Sequence, residues 1–166
     1  MNNRNSSPLE VNYGVVQGST LGPLLFLVYI NNIVKLNITG MLQLFADDTV
    51  IVFKGRTWQE VYQVASNELT QIQHWFLSNI LTVNVSKTKF LPIALRNVSE
   101  PPAELQLVLH SCGDSVNTAC HCQPIVRVDQ YKYLGIIIDK KLRWEPHINY
   151  LKPKLRKMIY VFYQLG

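Results

Sequence analysis

Three observations predict an α+β fold here, an antiparallel sheet with helices packed on one side. Leu42 and Leu44 before, and Val50 and Val52 after, alternate with other residues around Phe45-Ala46-Asp47-Asp48-Thr49, which describes a hairpin with its acids at or near the turn. Trp58, Val61, Tyr62, Ala65, Leu69, Ile72, Trp75 and Phe76 recur at helical spacing, the clearest amphipathic helix of the chain. Tyr133-Leu134-Gly135-Ile136-Ile137-Ile138 is built of residues that suit a strand.

The elements follow in order. Residues 14–22 form a Gly/Ser/Gln loop, and Ser19 or Thr20 is placed to cap a largely buried helix through Leu24, Leu25, Leu27 and Val28 to about Ile33. After the hairpin, Thr57-Trp58-Gln59-Glu60 has the capping-box form and starts the amphipathic helix. Residues 81–85 and 89–95 read as strands around the turn Ser86-Lys87-Thr88. Residues 97–124 are polar and contain prolines; a strand is expected at 105–110 and a loop from Cys112 to Cys122. From Trp144 the pattern becomes helical and basic, with Pro153 at a start or a kink.

Composition narrows the function classes. A chain of 166 residues, 48% of them hydrophobic, buries one modest core, as one domain or part of a larger one. The formal charge of +5 permits a polyanionic partner without requiring one. The apolar run at residues 24–30 is far shorter than the roughly 20 residues of a spanning helix, so no membrane segment is expected. The polar start lacks the apolar core of a secretory signal, so the N-x-[ST] matches at Asn37, Asn84 and Asn97 are read as accidental. Three cysteines, an odd number, fit free thiols in a reducing, intracellular compartment. His110, Cys112, Cys120, His121 and Cys122 lack the paired C-x₂₋₄-C spacing of structural zinc sites and read as a thiol-containing surface loop.

Adjacent aspartates are ordinarily a solvated turn, but Asp47-Asp48 follows Phe45 and Ala46, where such a turn more often offers Gly, Asn or Ser. Gathering two like charges between apolar strands is costly unless a cation neutralises them, which makes Asp47 and Asp48 candidate Mg²⁺ ligands. Phosphoryl transfer gives the chemical reason, because metal ions held by carboxylates activate an attacking hydroxyl and stabilise a leaving oxygen.

These residues resemble the reverse transcriptases of non-LTR, LINE-type (jockey-like) retrotransposons. Phe45-Ala46-Asp47-Asp48 is similar to that family's F/Y-x-D-D box, motif C. Gly14-Val15-Val16-Gln17-Gly18-Ser19-Thr20-Leu21-Gly22-Pro23-Leu24-Leu25-Phe26 is similar to motif B, whose Gln-Gly turn and helix line the template and nucleotide pocket. Residues 79–90, with Lys87 matching a basic residue near the leaving pyrophosphate, are similar to motif D. Residues 131–139, followed by Leu142, Trp144 and His147-Ile148, resemble the primer-grip hairpin and thumb entry. Four ordered motifs are far more specific than one box.

The resemblance implies an incomplete polymerase palm over residues 1–139, motifs B to E, and a helical thumb stub over 140–166. It implies Asp47, Asp48 and Lys87 as catalytic residues, with Asp47 and Asp48 holding Mg²⁺. Gln17, Gly18 and Ser19 would meet template and nucleotide, and Tyr133, Leu134 and Gly135 the primer. Lys152, Lys154, Arg156 and Lys157 would bind nucleic acid, since eight of the sixteen Lys and Arg fall between Lys132 and Lys157 with aromatics among them. The partners implied are an RNA template, a DNA primer and deoxynucleotides.

Two departures are small: Val16 stands where relatives usually have Pro, and Asn32 where many have Asp. A third is larger. Asp47 is the first aspartate and Glu10 the only acid before it, so the motif A carboxylate is missing and the isolated chain is expected to be an inactive fragment. The alternative is a non-catalytic nucleic-acid-binding transposon remnant.

Overall fold

The first helix begins where its donors are satisfied. The Gly22 N–H donates to Ser19 Oγ at 3.0 Å, and Pro23 occupies the first turn, where a missing N–H leaves no bond unmade. The computed structural model describes Gly14 and residues 18–95, 99–110 and 122–165. The chain divides into two compact units, Met1–Val52 and Phe53–Gly166.

In the first unit, α1 (Gly22–Ile30) tightens into a 3₁₀ turn at Asn31–Lys35. Ile30 and Ile33 are buried, but Leu24, Leu25, Leu27 and Val28 are exposed, Val28 to 66%. The expectation of a largely buried helix is thus corrected. A helix that is apolar all round needs neighbours on every side, and among the described residues of this unit the 3₁₀ turn and a hairpin are what it meets. Strands β1 (Met41–Phe45) and β2 (Asp48–Val52) pair antiparallel from Met41↔Val52 to Phe45↔Asp48. Leu42, Leu44, Thr49 and Ile51 share the half-buried face, whereas Met41, Phe45 and Val52 stand exposed on the other. Leu27, Val28, Ile30, Asn31 and Leu44 line an open cleft of about 380 Å³ between this face and the helix.

The second unit is organised by α2 (Trp58–Ser78), whose N-cap Thr57 accepts the Glu60 N–H on Oγ1 at 3.2 Å. Glu60 returns a carboxylate oxygen to the Arg56 N–H at 2.9 Å, one residue before the position a strict capping box uses. Tyr62, Ala65, Leu69 and Ile72 are buried as the spacing predicts, and Glu68 and Gln73 are buried beside them. The helix ends in a Schellman arrangement: Leu81 N–H donates to Phe76 O at 2.9 Å and Ile80 N–H to Leu77 O at 3.1 Å.

Beyond α2 the local pattern and the pairing part company. Residues 81–84 form no strand, and β3 is only Lys89–Phe90, which pairs in parallel with β4 (Val126–Arg127) rather than with its own upstream neighbour. Tyr62 meets Phe90 edge-to-face at 5.8 Å, and Trp58 Nε1–H donates to Ser99 O at 2.7 Å. The strand expected at 105–110 reduces to one bridge, Val108↔Pro124, with Leu107, Leu109 and Ile125 buried around it. Cys112, Cys120 and His121 lie outside the described residues.

The apolar run at 133–138 is broken into a hairpin, β5 (Gln130–Tyr133) and β6 (Ile136–Asp139), by the two-residue turn Leu134-Gly135. Last comes α3 (Glu145–Leu165), continuous through Pro153. It is joined to the hairpin by the Ile137 N–H, which donates to His147 Nδ1 at 3.3 Å. The class is α+β; its strands form three two-stranded ladders among the described residues, two of them antiparallel. No helix among the described residues is long and apolar enough to cross a membrane.

Candidate active site and nucleic-acid interface

The β1–β2 hairpin is closed by Ala46 and Asp47, so Asp47 sits in the turn and Asp48 opens β2 opposite Phe45. Two-residue hairpin turns demand positive φ, and that burden falls here on Ala46, at φ 50°. A side chain in this left-handed region is strained by about 1–2 kcal/mol. Both aspartates are exposed, which corrects the premise that burial forces a cation upon them: they lie beyond the last apolar pair, where water reaches them. Among the described residues neither makes an ion pair, and no group of three or more His, Cys, Asp or Glu side chains is gathered. The donor set is nonetheless of a kind that suits Mg²⁺, two carboxylates with hard oxygen donors at a hairpin turn, though short of a complete cage.

Gly18 turns at φ +85° ahead of α1, which explains a glycine there by conformation; a Cβ would meet nothing within 4 Å. Ser19 holds the start of α1 through its hydroxyl. Gln17 lies outside the described residues.

Lys87 belongs to the second unit and rides an exposed turn pinned by Asn84. Asn84 Oδ1 accepts from Ser86 Oγ at 2.7 Å and from the Lys87 N–H at 3.2 Å, while Asn84 O accepts from the Thr88 N–H and Oγ1 at 3.0 and 2.9 Å. One asparagine thus fixes the backbone from which Lys87 projects.

Tyr133, Leu134 and Gly135 stand at the β5–β6 turn, with Leu134 at φ 46° and Gly135 at φ 87°. Paired positive φ values are the signature of a type I′ turn, usually Asn-Gly. Leucine in that place is strained, and it is 47% exposed. The same hairpin meets the basic helix. Lys132 Nζ of β5 and Lys154 Nζ of α3 both donate to the Tyr150 hydroxyl oxygen, at 2.8 and 2.6 Å. These hydrogen bonds, Lys132's first, lower the Tyr150 pKa to about 8. Lys152, Arg156 and Lys157 are exposed along the same helix.

At the base of the hairpin Lys140 bridges Glu100 and Asp129, the latter at 3.1 Å, and Arg127 also pairs with Glu100 at 3.0 Å. The Lys140 hydrogen bond holds the Glu100 carboxyl below its ordinary value and is itself the reason the Lys140 ammonium titrates higher. The structure ties Lys154 to the β5–β6 hairpin through Lys132 and Tyr150, which the sequence places only within the basic, aromatic-interleaved segment 132–157. The signal was available in Leu134-Gly135: a hydrophobic–Gly pair inside a strand pattern marks a bend that swings β5 alongside β6.

A family model described as reverse transcriptase (RNA-dependent DNA polymerase) matches residues 1–138. The chain is 24% identical over 164 residues to a probable RNA-directed DNA polymerase from transposon X-element of Drosophila melanogaster, covering 96% of this chain. It is 31% identical over 156 residues to a probable RNA-directed DNA polymerase from transposon BS of the same species, covering 89%. To the RNA-directed DNA polymerase from mobile element jockey of Drosophila funebris it is 26% identical over 162 residues, covering 93%. The chain spans 16% of the length of each of these relatives. No solved structure matches it significantly.

Proposed function

This chain belongs to the reverse transcriptase (RNA-dependent DNA polymerase) family, and from that membership we propose that it supplies the carboxylate hairpin and the nucleic-acid grip of an enzyme that makes DNA on an RNA template. The observation that carries the reading is the delivery of Asp47 and Asp48 to the tip of an antiparallel hairpin by a strained two-residue turn. Strain of this kind persists where the surrounding structure over-determines it, and it gathers at functional sites.

In this reading residues 1–139 are part of a palm and 140–166 the start of a thumb. Asp47 is the principal ligand of Mg²⁺ and Asp48 its neighbour. A bound Mg²⁺ pair supplies charge neutralisation for the attacking and leaving oxygens. The chain's own residues do the positioning. Gly18 and Ser19, with Gln17 before them, shape the floor under template and incoming deoxynucleotide. Lys87, on its Asn84-pinned turn, offers an ammonium to the pyrophosphate. Tyr133, Leu134 and Gly135 bear on the primer, and Lys152, Lys154, Arg156 and Lys157 take up phosphates of the RNA template and DNA primer.

One observation favours a second reading for the 166-residue chain on its own, namely nucleic-acid binding without catalysis. Among the described residues no third carboxylate joins Asp47 and Asp48, and Mg²⁺ demands a complete oxygen cage. The test measures labelled deoxynucleotide incorporation on a primed RNA by three proteins: this chain, the chain joined to the upstream half of a relative's polymerase domain, and the joined protein with Asp47→Asn. We expect synthesis by the second alone. Synthesis by this chain unaided would show that two carboxylates suffice, and undiminished synthesis by the Asn variant would overturn the role of Asp47.

A further inference from the structure

The contact between the β5–β6 hairpin and α3 has an unusual charge pattern. Two ammonium groups, Lys132 Nζ and Lys154 Nζ, converge on one phenol oxygen, at 2.8 and 2.6 Å. Like charges drawn together are normally separated by an acid, and the contrast with Lys140, held between Glu100 and Asp129, is direct. The acids of this neighbourhood are already occupied. Asp129 and Glu100 serve Lys140 and Arg127, and Asp139 Oδ2 accepts the Lys141 N–H at 3.1 Å. No Asp or Glu follows Glu145 in the sequence. His147, whose ring centroid is 6.2 Å from that of Tyr150, brings no negative charge and spends Nδ1 on the Ile137 N–H.

The hydrogen-bond inventory sharpens this. A neutral phenol has one donor and two acceptor lone pairs, and an ammonium has three donors. Both Tyr150 lone pairs are taken by the lysines, so what the cluster still presents outward is the phenol O–H and the remaining ammonium hydrogens. Every open function is a donor and the net charge is positive. Such a site takes an oxyanion, and a tetrahedral phosphate offers several acceptor oxygens to donors converging from different elements. The setting is also accessible, since Lys132 and Lys154 are exposed and Tyr150 is half-buried at the junction.

We propose that Lys132, Tyr150 and Lys154 form a seat for one phosphodiester of a nucleic-acid backbone, with the Tyr150 hydroxyl as its third donor. The proposal rests on the reading that the second unit grips nucleic acid, and it names which phosphate contact joins the hairpin to the helix. Lys132 and Tyr150 thereby become binding residues of the interface, and the bound phosphate becomes the counterion that the two lysines lack.

The phenol itself reports on the seat. Tyr150 ionises at about 8 because two cations stabilise its anion, so a phosphate neutralising those cations raises that pKa back toward the ordinary value near 10. Tyrosinate absorbance is therefore titrated in the full chain at fixed low salt, with an oligothymidylate, with the same oligomer carrying uncharged methylphosphonate linkages, and with inorganic phosphate. Binding of the oligomers is followed in parallel by fluorescence anisotropy. The early tyrosinate step is assigned by its loss in Tyr150→Phe, with circular dichroism showing that the helix is retained. We expect the oligothymidylate to move the step upward and the methylphosphonate oligomer to leave it in place. We also expect about a fivefold loss of oligothymidylate affinity in each of Lys132→Ala and Lys154→Ala. If the oligothymidylate binds and the Tyr150 step stays near 8, the seat is overturned while the nucleic-acid reading stands. If inorganic phosphate alone moves the step, the site is one for free phosphate and the backbone assignment is overturned. If no oligomer binds at all, the seat and the broader reading fall together.

Discussion

Four residues other than glycine adopt positive φ among those described: Ala46, Ile80, Leu134 and Leu142. None was legible in the sequence, because the usual markers of a left-handed residue are Gly, Asn and Asp, and these positions carry none of them. Ile80 is the most strained, being β-branched, at φ 53° and 77% exposed. Its position is fixed by the Schellman bonds that close α2, where glycine is the common occupant. Ile80→Gly should relieve about 1–2 kcal/mol of strain. The greater freedom of glycine in the unfolded chain offsets part of this, leaving a net gain of about 1 kcal/mol. Equilibrium denaturant unfolding gives the answer directly. A midpoint that falls would mean that the exposed Ile80 side chain makes a stabilising contact.

At the scale of elements, legibility follows how local the determining contacts are. The capped start and buried stripe of α2 were readable, since Thr57 and the 62-65-69-72 spacing act within the helix itself. The β1–β2 hairpin was readable for the same reason, its partners being separated by two residues. The parallel pairing of β3 with β4 was not, because Lys89 finds Val126 across a long excursion of chain and a two-residue strand has no periodicity to show. Glu68 and Gln73 lie outside the apolar spacing, yet they are buried beside it, which no residue-type pattern could show. Pro153 was read as a start or kink, and α3 begins well before it, at Glu145, which removes the start. A proline inside a helix withholds the N–H that the carbonyl four residues back, that of Asn149, needs, and it is about 3 kcal/mol less favourable than alanine. Pro153→Ala should accordingly stabilise α3 by roughly 2–3 kcal/mol, seen as slower amide hydrogen exchange across residues 145–165 and a higher melting temperature. Unchanged exchange in that helix would show that α3 is held by its ends rather than by its middle.

At the scale of the whole chain, the acidic corner falls in one compact unit and the hairpin, Lys87 and basic helix in the other. Charge is distributed as unevenly as function. From Pro146 onward the sequence holds four basic residues and no acid, on a helix exposed over residues 152–160 and 162–164, Tyr163 to 88%. A cationic helix of this kind recognises phosphate rather than base edges, so binding should tolerate any sequence and be driven by counterion release. The logarithm of affinity for a primer–template duplex should fall linearly with the logarithm of salt concentration, with a slope of roughly 0.9 for each phosphate neutralised. Replacing Lys152, Lys154, Arg156 and Lys157 together by alanine keeps helix propensity high while deleting the charges. The slope should then shrink by roughly three to four, and affinity should drop by a similar factor for duplexes of unrelated sequence. Anisotropy titrations across a salt series, with helix content checked by circular dichroism, measure both quantities. A variant that binds with the parent's slope would remove α3 from the interface and shift the phosphate contacts to the lysines and arginines of the hairpin region, Lys132, Lys140, Lys141 and Arg143.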